Sequence, residues 1–216
     1  MKWKNIPRKV SSGLLLGLLI AALSGTGCGN GGNGGNGGNG DNGDNGDNGN
    51  DSDNGNKVVS LQISRFTTSS LSDARADEIL AGKSTILQTN DGTEDVECGV
   101  VFTRDGPVTV FDTGNGVINS RADFQAINNL PGNVKVVNQI NFCSRLAPNI
   151  IGCAPVPGTS RLVVRFTPSQ EDILWVHEFG HNKNLGHRNG DNLVMNPTIG
   201  QTKRRINQTE CDAYRQ

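Results

Sequence analysis

The order of apolar and polar residues divides the chain of 216 residues into three parts. An apolar run at 14–23 follows a basic N-terminus, and the segment 29–56 consists almost wholly of Gly, Asn and Asp. From Lys57 onward, apolar residues recur at the spacings of strands and helices. About 160 residues are enough for one domain with its own core. The pattern therefore predicts a single folded domain at 57–216.

Within this domain, alternating and β-branched apolar runs predict strands, and apolar residues three and four apart predict helices. The predicted strands lie at 58–66, 96–102, 108–111, 134–142 and 161–166, and the predicted helices lie at 70–88, 168–183 and 207–215. The sequence from Arg104 to Pro107 is typical of a turn. We therefore expect the second and third strands to form a hairpin.

The helix at 168–183 has its own start signal. Thr167 is a suitable N-cap, Pro168 suits the first helical position, and Gln170 completes a capping box. Gly180 lies inside this helix and costs about 1 kcal/mol relative to Ala. Either a close backbone approach beside a metal requires this glycine, or it is a tolerated weak position.

All three histidines of the chain lie in this region, within a stretch of eleven residues. His177 and His181 are four apart, so a helix places both imidazoles on one face. Neutral imidazole is a favoured ligand of zinc. Asn184 can end the helix in a left-handed conformation, after which Gly186 loosens the backbone and His187 can return as a third ligand.

Glu178 is rotated about 100° around the helix from His177, so it borders the ion without coordinating it. Such a carboxylate can take a proton from water that the ion activates and hand it to a leaving amine. Three protein ligands and one water form the open tetrahedral site of catalytic zinc, whereas structural zinc sites are closed by four protein ligands. The sequence therefore predicts a catalytic Zn²⁺ site in which Glu178 is the general base and the ligands are His177, His181 and His187.

The stretch 177–187 resembles the metzincin signature His-Glu-x-x-His-x-x-Gly-x-x-His, with Asn184 in place of the family glycine. Met195, in the run Asn-Leu-Val-Met-Asn-Pro, resembles the methionine of the tight turn beneath the metal. The resemblance implies an α+β, metzincin-like zincin domain: a twisted mixed five-stranded sheet, an active-site helix, a second long helix, and a small C-terminal subdomain with the methionine turn. It implies no tyrosine ligand, because Pro197 stands where some families have one and Tyr214 is too far along the chain.

By this resemblance, the chain is expected to be a monomeric zinc endopeptidase that acts on a protein or peptide substrate. In metzincins the substrate lies extended along an edge strand. The candidate edge is 149–158, where Pro155 and Pro157 suit an edge strand, although a surface loop is an equal alternative. Two other functions fit the same residues: a zinc hydrolase of cell-wall amide bonds, and a non-catalytic binding module with a structural zinc.

The domain contains four cysteines, Cys98, Cys143, Cys153 and Cys211. An exported location would permit disulfides. Cys143 and Cys153 are near enough in sequence to close a small loop, which would leave Cys98 for Cys211. Four cysteines allow three pairings, however, and the sequence does not choose among them.

The N-terminal segment indicates export. A basic start, the apolar run and small residues up to position 27 are typical of a secretory signal peptide at 1–27, and the run is short for a transmembrane helix. Cys28 then resembles the lipidated first residue of a bacterial lipoprotein, with ordinary signal-peptidase cleavage as the alternative. Residues 28–56 have no large apolar side chain and are expected to form a flexible tether. We therefore expect an exported protein, either extracellular or anchored at the cell envelope.

Charge argues against a nucleic-acid partner. The whole chain has 20 basic and 21 acidic residues, and the domain from Lys57 onward has 16 of each. A nucleic-acid-binding domain typically has a basic excess or a basic stripe. Membrane contact is expected only through a lipid at Cys28.

Overall fold

The computed structural model describes residues 55–92 and 94–216. The predicted signal peptide at 1–27, Cys28 and the predicted tether up to residue 54 lie outside the described residues. Within the described ranges, no helix combines the length and the apolar character needed to cross a membrane.

The described part of the chain contains four α-helices and ten strands. The helices are α1 (Asp73–Gln88), α2 (Arg121–Asn128), α3 (Glu171–Asn182) and α4 (Gln208–Tyr214). The strands are β1 (Lys57–Leu61), β2 (Ile63–Phe66), β3 (Val100–Arg104), β4 (Thr109–Phe111), β5 (Val117–Ile118), β6 (Val134–Val137), β7 (Gln139–Cys143), β8 (Arg145–Ile150), β9 (Gly152–Cys153) and β10 (Arg161–Val164).

The main sheet has five strands and is mixed, as expected. Its order is β4-β2-β6-β10-β9, and every neighbouring pair is parallel except β10 with the edge strand β9. Successive strand residues point to opposite faces: Val163 packs in the cluster that includes α1 and α3, and Leu162 packs in the cluster that includes α2. All four residues of β6 are buried, as is usual for a parallel strand covered on both faces.

The predicted hairpin between the second and third strands is wrong. β3 pairs with β1 in a separate two-stranded sheet, whereas β4 pairs with β2 in the main sheet, and both pairs are parallel. The predicted strand at 58–66 is therefore two strands, with Gln62 between them. Each of these strands has its own parallel partner, so the chain does not fold back between β3 and β4. A bidentate pair between Arg104 and Asp77 of α1 holds this connection.

The predicted strand at 134–142 also divides in two. Asn138 separates β6 in the main sheet from β7, which joins β5 and β8 in a three-stranded sheet. The side-chain amide of Asn138 donates a hydrogen bond to Thr68 Oγ1 and accepts one from Ser69 Oγ. These bonds fix the residue at which the chain leaves the main sheet.

The two long helices, α1 and α3, pack against each other in the larger apolar cluster. α1 begins three residues later than predicted because Ser72 is its N-cap, accepting a hydrogen bond from the Arg75 amide. Its buried face includes Ile79, Leu80 and Leu87. This face lies against β3 and α3, so α1 supports the helix that carries the histidines.

Two disulfide bonds close the domain, Cys143–Cys153 and Cys98–Cys211, which is one of the three pairings left open above. The first bond ties the end of β7 to the edge strand β9. The second ties α4 to the segment before β3. α4 begins with a capping box between Asn207 and Glu210. The helix predicted at 207–215 is confirmed at Gln208–Tyr214, and Cys211 anchors it through its disulfide bond.

Candidate active site

The start of α3 differs from the prediction. A 3-10 turn at Pro168–Gln170 precedes α3, and the predicted capping box is wrong because the Thr167 side chain makes no capping hydrogen bond. Instead, the buried carboxylate of Glu171 accepts hydrogen bonds from the guanidinium groups of Arg75 and Arg165. These charge-assisted bonds hold Glu171, the first residue of α3, in place.

The end of α3 agrees with the prediction. Asn184 adopts a left-handed conformation with φ of 66°. Its amide donates to the His181 carbonyl at 3.0 Å, and the Leu185 amide donates to the Gly180 carbonyl at 2.9 Å. This pair of bonds is a Schellman motif, which ends the helix and turns the chain back.

The structure brings the three histidines together. The ring centroids of His177 and His181 are 4.6 Å apart, and that of His187 lies 5.2 Å from the first and 4.9 Å from the second. One ligand nitrogen from each ring lies within 4.8 Å of the other two. His177 and His181 are buried and His187 is exposed, so the cluster reaches the surface at His187.

Backbone carbonyls fix the tautomers of the two helical histidines. Nδ1 of His177 lies 2.7 Å from the Val194 carbonyl oxygen, and Nδ1 of His181 lies 2.7 Å from the Leu185 carbonyl oxygen. A carbonyl only accepts hydrogen bonds, so each Nδ1 carries the proton and each Nε2 keeps a lone pair. Both Nε2 atoms are buried and have no hydrogen-bond partner among the described residues. Two buried lone pairs beside each other require an explanation, which a bound cation supplies.

Burial keeps these imidazoles neutral. Burial, reinforced by the neighbouring His181, lowers the pKa of His177 well below its usual value, and burial lowers the pKa of His181 to about 4. Neutral imidazole is the form that binds metal. The three histidines can therefore bind one metal ion, and Zn²⁺ suits a set of nitrogen donors, as predicted.

Glu178 is fully buried, and neither of its carboxylate oxygens has a hydrogen-bond partner in the described part of the chain. Burial raises the pKa of Glu178 well above its usual range, and the charge of the buried Arg161 acts in the opposite direction. The edge strand β9 covers the carboxylate, since a Cβ built on Gly152 would lie 2.2 Å from Glu178 Oε1. Any side chain at position 152 would thus displace the carboxylate.

Met195 is fully buried against the last turn of α3, where Gly180 lets it approach closely. A Cβ built on Gly180 would lie 2.5 Å from Met195 Sδ and 2.7 Å from Tyr214 Oη, so the glycine serves a close approach and is not merely tolerated. Tyr214 Oη lies 3.4 Å from Met195 Sδ and 3.3 Å from the Val176 carbonyl oxygen. Tyr214 is excluded above as a ligand, yet it supports the site from α4. Its only sequence signal is its place three residues after Cys211.

Two buried basic side chains beside Phe179 of α3 were missed in the sequence. Lys83 Nζ lies 3.5 Å from the ring centroid of Phe102 and 4.1 Å from that of Phe179, without a hydrogen-bond partner among the described residues. Burial lowers the pKa of Lys83 well below its usual value. Arg161 lies 4.9 Å from the Phe179 ring and donates to Asn182 Oδ1 at 2.9 Å.

The edge strand β9 contacts α3 and runs antiparallel to β10. The predicted edge at 149–158 is confirmed at Gly152–Cys153, and residues 154–158, which include Pro155 and Pro157, are loop. The edge-strand interpretation therefore holds for Gly152–Cys153, and the loop interpretation holds for residues 154–158.

No protein-family model and no curated protein matches the chain. Among solved structures, the chain is similar to archaemetzincin from Methanopyrus kandleri, with 14% sequence identity, a TM-score of 0.46, and coverage of 74% of this chain and 93% of that chain. It is also similar to archaemetzincin from Archaeoglobus fulgidus, crystallised with malonate, with 16% identity, a TM-score of 0.44, and coverage of 72% and 99%. Both TM-scores lie below 0.5, so the proposal below rests on the residues of the site.

Proposed function

We propose that this protein is a zinc-dependent endopeptidase of the metzincin type with a zincin-like fold. The observation that carries the proposal is the pair of buried, unpaired Nε2 atoms of His177 and His181 beside the buried carboxylate of Glu178. Structural histidines in a core normally satisfy their polar atoms with hydrogen bonds. A structural zinc site would have a fourth protein ligand, whereas the metal-binding group found among the described residues has three.

The residues of the site would divide the work of peptide hydrolysis among them. His177, His181 and His187 would hold the ion through neutral ring nitrogens. When bound, Zn²⁺ supplies Lewis-acid chemistry, which polarises the scissile carbonyl and acidifies water. In its ionised form, which the charge of Arg161 favours, Glu178 takes a proton from the attacking water on a carboxylate oxygen and gives it to the nitrogen of the leaving amine. Met195 supports α3 from below and does not touch the substrate.

A peptide substrate would lie extended along β9. The outer edge of β9 has no partner strand in the described ranges, so its backbone groups can pair with an added strand. Gly152 of this strand borders Glu178, so a peptide paired there would pass beside the general base.

Zinc content and hydrolysis by the parent protein and by the Glu178→Gln variant test the proposal. We expect about one zinc per chain in both proteins, as a three-ligand site requires, and cleavage of an unfolded polypeptide by the parent alone, because Gln cannot accept the proton. The exposed Glu97 offers a matched control, and Glu97→Gln should cleave like the parent.

Equal cleavage by the parent and by Glu178→Gln would remove Glu178 from the mechanism. Hydrolysis of cell-wall fragments without hydrolysis of polypeptides would support the amide hydrolase instead. Bound zinc without any hydrolysis would support the binding module.

We also propose that the protein is exported by a signal peptide at 1–27, that Cys28 carries a lipid, and that 28–56 is a tether. The two disulfide bonds support an oxidising location. We expect mass spectrometry of the mature protein to find a lipid on an N-terminal Cys28, and Cys28→Ser to release the protein from membranes. A mature chain that begins at Met1 would contradict export by a cleaved signal, and a cleaved chain with an unmodified cysteine would contradict the lipid alone.

A further inference from the structure

His187 is held differently from the other two histidines. It lies beyond the end of α3, its side chain is exposed, and its ring has no hydrogen bond within the described residues. Gly186, immediately before it, has open space around the position of a Cβ. On the N-terminal side the nearest residue held by hydrogen bonds is Leu185, two positions away. The held residue that directly adjoins His187 is Arg188, on its C-terminal side.

Arg188 provides this hold through both its backbone and its side chain. Its amide donates to the Met195 carbonyl at 2.8 Å. Its guanidinium donates twice to Glu210, from Nε to Oε1 at 2.9 Å and from Nη2 to Oε2 at 2.9 Å. A bidentate pair of this kind fixes direction as well as distance, so the residue next to His187 has one defined position.

Glu210 is itself firmly held. Its side chain is only 6% exposed, and its carboxylate also accepts a hydrogen bond from the Asn207 amide in the capping box of α4. The next residue, Cys211, is bonded to Cys98. The Arg188–Glu210 pair thus connects the third histidine to the best-anchored point of the C-terminal helix.

We propose that Arg188 is a positioning residue for His187, and that its pair with Glu210 sets the zinc affinity of the site. This inference rests on the proposed function, because it requires the three histidines to bind zinc. Groups that orient metal ligands without touching the ion typically change metal affinity about 10- to 100-fold. Without the pair, His187 is less ordered before zinc binds. Binding must then also order His187, and this loss of conformational entropy lowers the zinc affinity. If the pair only docks α4, its loss lowers stability and leaves zinc affinity unchanged.

Zinc affinity, measured on the full chain by competition with a chromophoric chelator, separates these two roles. Arg188→Met removes the pair, Arg188→Lys keeps the charge without the two-pronged geometry, and Glu210→Gln keeps an acceptor for the Asn207 amide. Arg165→Met is a matched control: Arg165 and Arg188 are each 30% exposed, and Arg165 makes a bidentate pair with the buried Glu171 at the far end of α3.

We expect Arg188→Met to raise the zinc Kd about 10- to 100-fold, Arg188→Lys and Glu210→Gln to raise it by less, and Arg165→Met to keep the Kd of the parent. Circular dichroism on the same samples shows whether each variant is folded, and Glu210→Gln decides the question if Arg188→Met does not fold. A parent that binds zinc, together with Arg188 and Glu210 variants that keep its Kd, would overturn this inference alone. A parent that binds no zinc would overturn the proposed function as well.

Discussion

Substitution of Gly152 by alanine tests how closely β9 packs against Glu178, the proposed general base. A Cβ at this position would lie 2.2 Å from Glu178 Oε1, 2.6 Å from Cδ and 2.8 Å from Cγ, whereas ordinary contacts begin at 3.4 Å. The carboxylate must therefore move by about 1 Å. A misplacement of this size can cost roughly 100-fold in rate, which corresponds to about 2.7 kcal/mol in the activation free energy.

The assay is kcat/KM for a fluorogenic peptide, with zinc content and thermal unfolding measured on the same samples. We expect Gly152→Ala to lose about 100-fold in kcat/KM and to keep its zinc, because the nearest atoms to the new methyl group all belong to Glu178. Gly200→Ala is the matched control: a Cβ there makes only ordinary contacts, with the Lys203 side chain. The control should keep the activity of the parent.

A double-mutant comparison shows whether the loss acts through the carboxylate. Once Glu178→Gln has removed the base, Gly152→Ala should cost little more, because substitutions that act on one group are not additive. A folded Gly152→Ala variant with the kcat/KM of the parent would refute the proposed fit. Loss of zinc from that variant would show that the methyl group disturbs the histidines instead.

Substitutions at three further positions test the support of the site. Gly180→Ala gains about 1 kcal/mol in helix propensity but places a methyl group 2.5 Å from Met195 Sδ. Because overpacking costs about 1 to 3 kcal/mol, we expect the variant to have a lower Tm than the parent. A higher Tm would contradict the close approach of Met195 to Gly180. Asn184 has φ of 66°, a left-handed conformation that glycine adopts freely and a β-branched residue does not. Asn184→Gly should therefore leave the free energy of urea unfolding unchanged or raise it. Asn184→Val should lower this free energy by about 1 to 3 kcal/mol. Lys83 has a lowered pKa in the folded protein, so the unfolded chain binds the extra proton and the stability of the parent rises with pH up to about pH 10. Lys83→Met should therefore have a higher free energy of unfolding than the parent at pH 7. This difference should shrink by up to about 1.4 kcal/mol per pH unit as the pH is raised. A difference that stays constant with pH in urea unfolding would contradict a neutral Lys83.

Local patterns predicted the elements of the site well, because the forces that form them are local. Helix spacing placed His177 and His181 on one face, and the left-handed preference of asparagine placed the turn at Asn184. The ion pair that holds the first residue of α3, Glu171, was missed because its partner Arg75 is far away in sequence. No local pattern contains that contact.

Strand pairing was predicted less well than strand position. Residues 104–107 do connect two strands, but the chain only bends there, and these strands pair with β1 and β2. The choice of distant partners leaves no mark in the connecting sequence. α2 was not predicted, although Ser120 caps it and Asp123 lies in its first turn. The buried Lys83 and Arg161 were missed for another reason, since charged residues are rarely expected in a core.

The Cys143–Cys153 bond makes the edge strand β9 dependent on the redox environment. β9 is two residues long and pairs with β10 on one side, so the bond at Cys153 is one of its few restraints. Closing a loop of this size is worth roughly 3 kcal/mol. In a thiol-rich cytosol both cysteines would stay reduced, and β9 would lose this restraint beside Glu178. Under the proposed export, oxidation outside the cytosol would then order β9, so that a newly made chain would stay latent inside the cell that synthesises it.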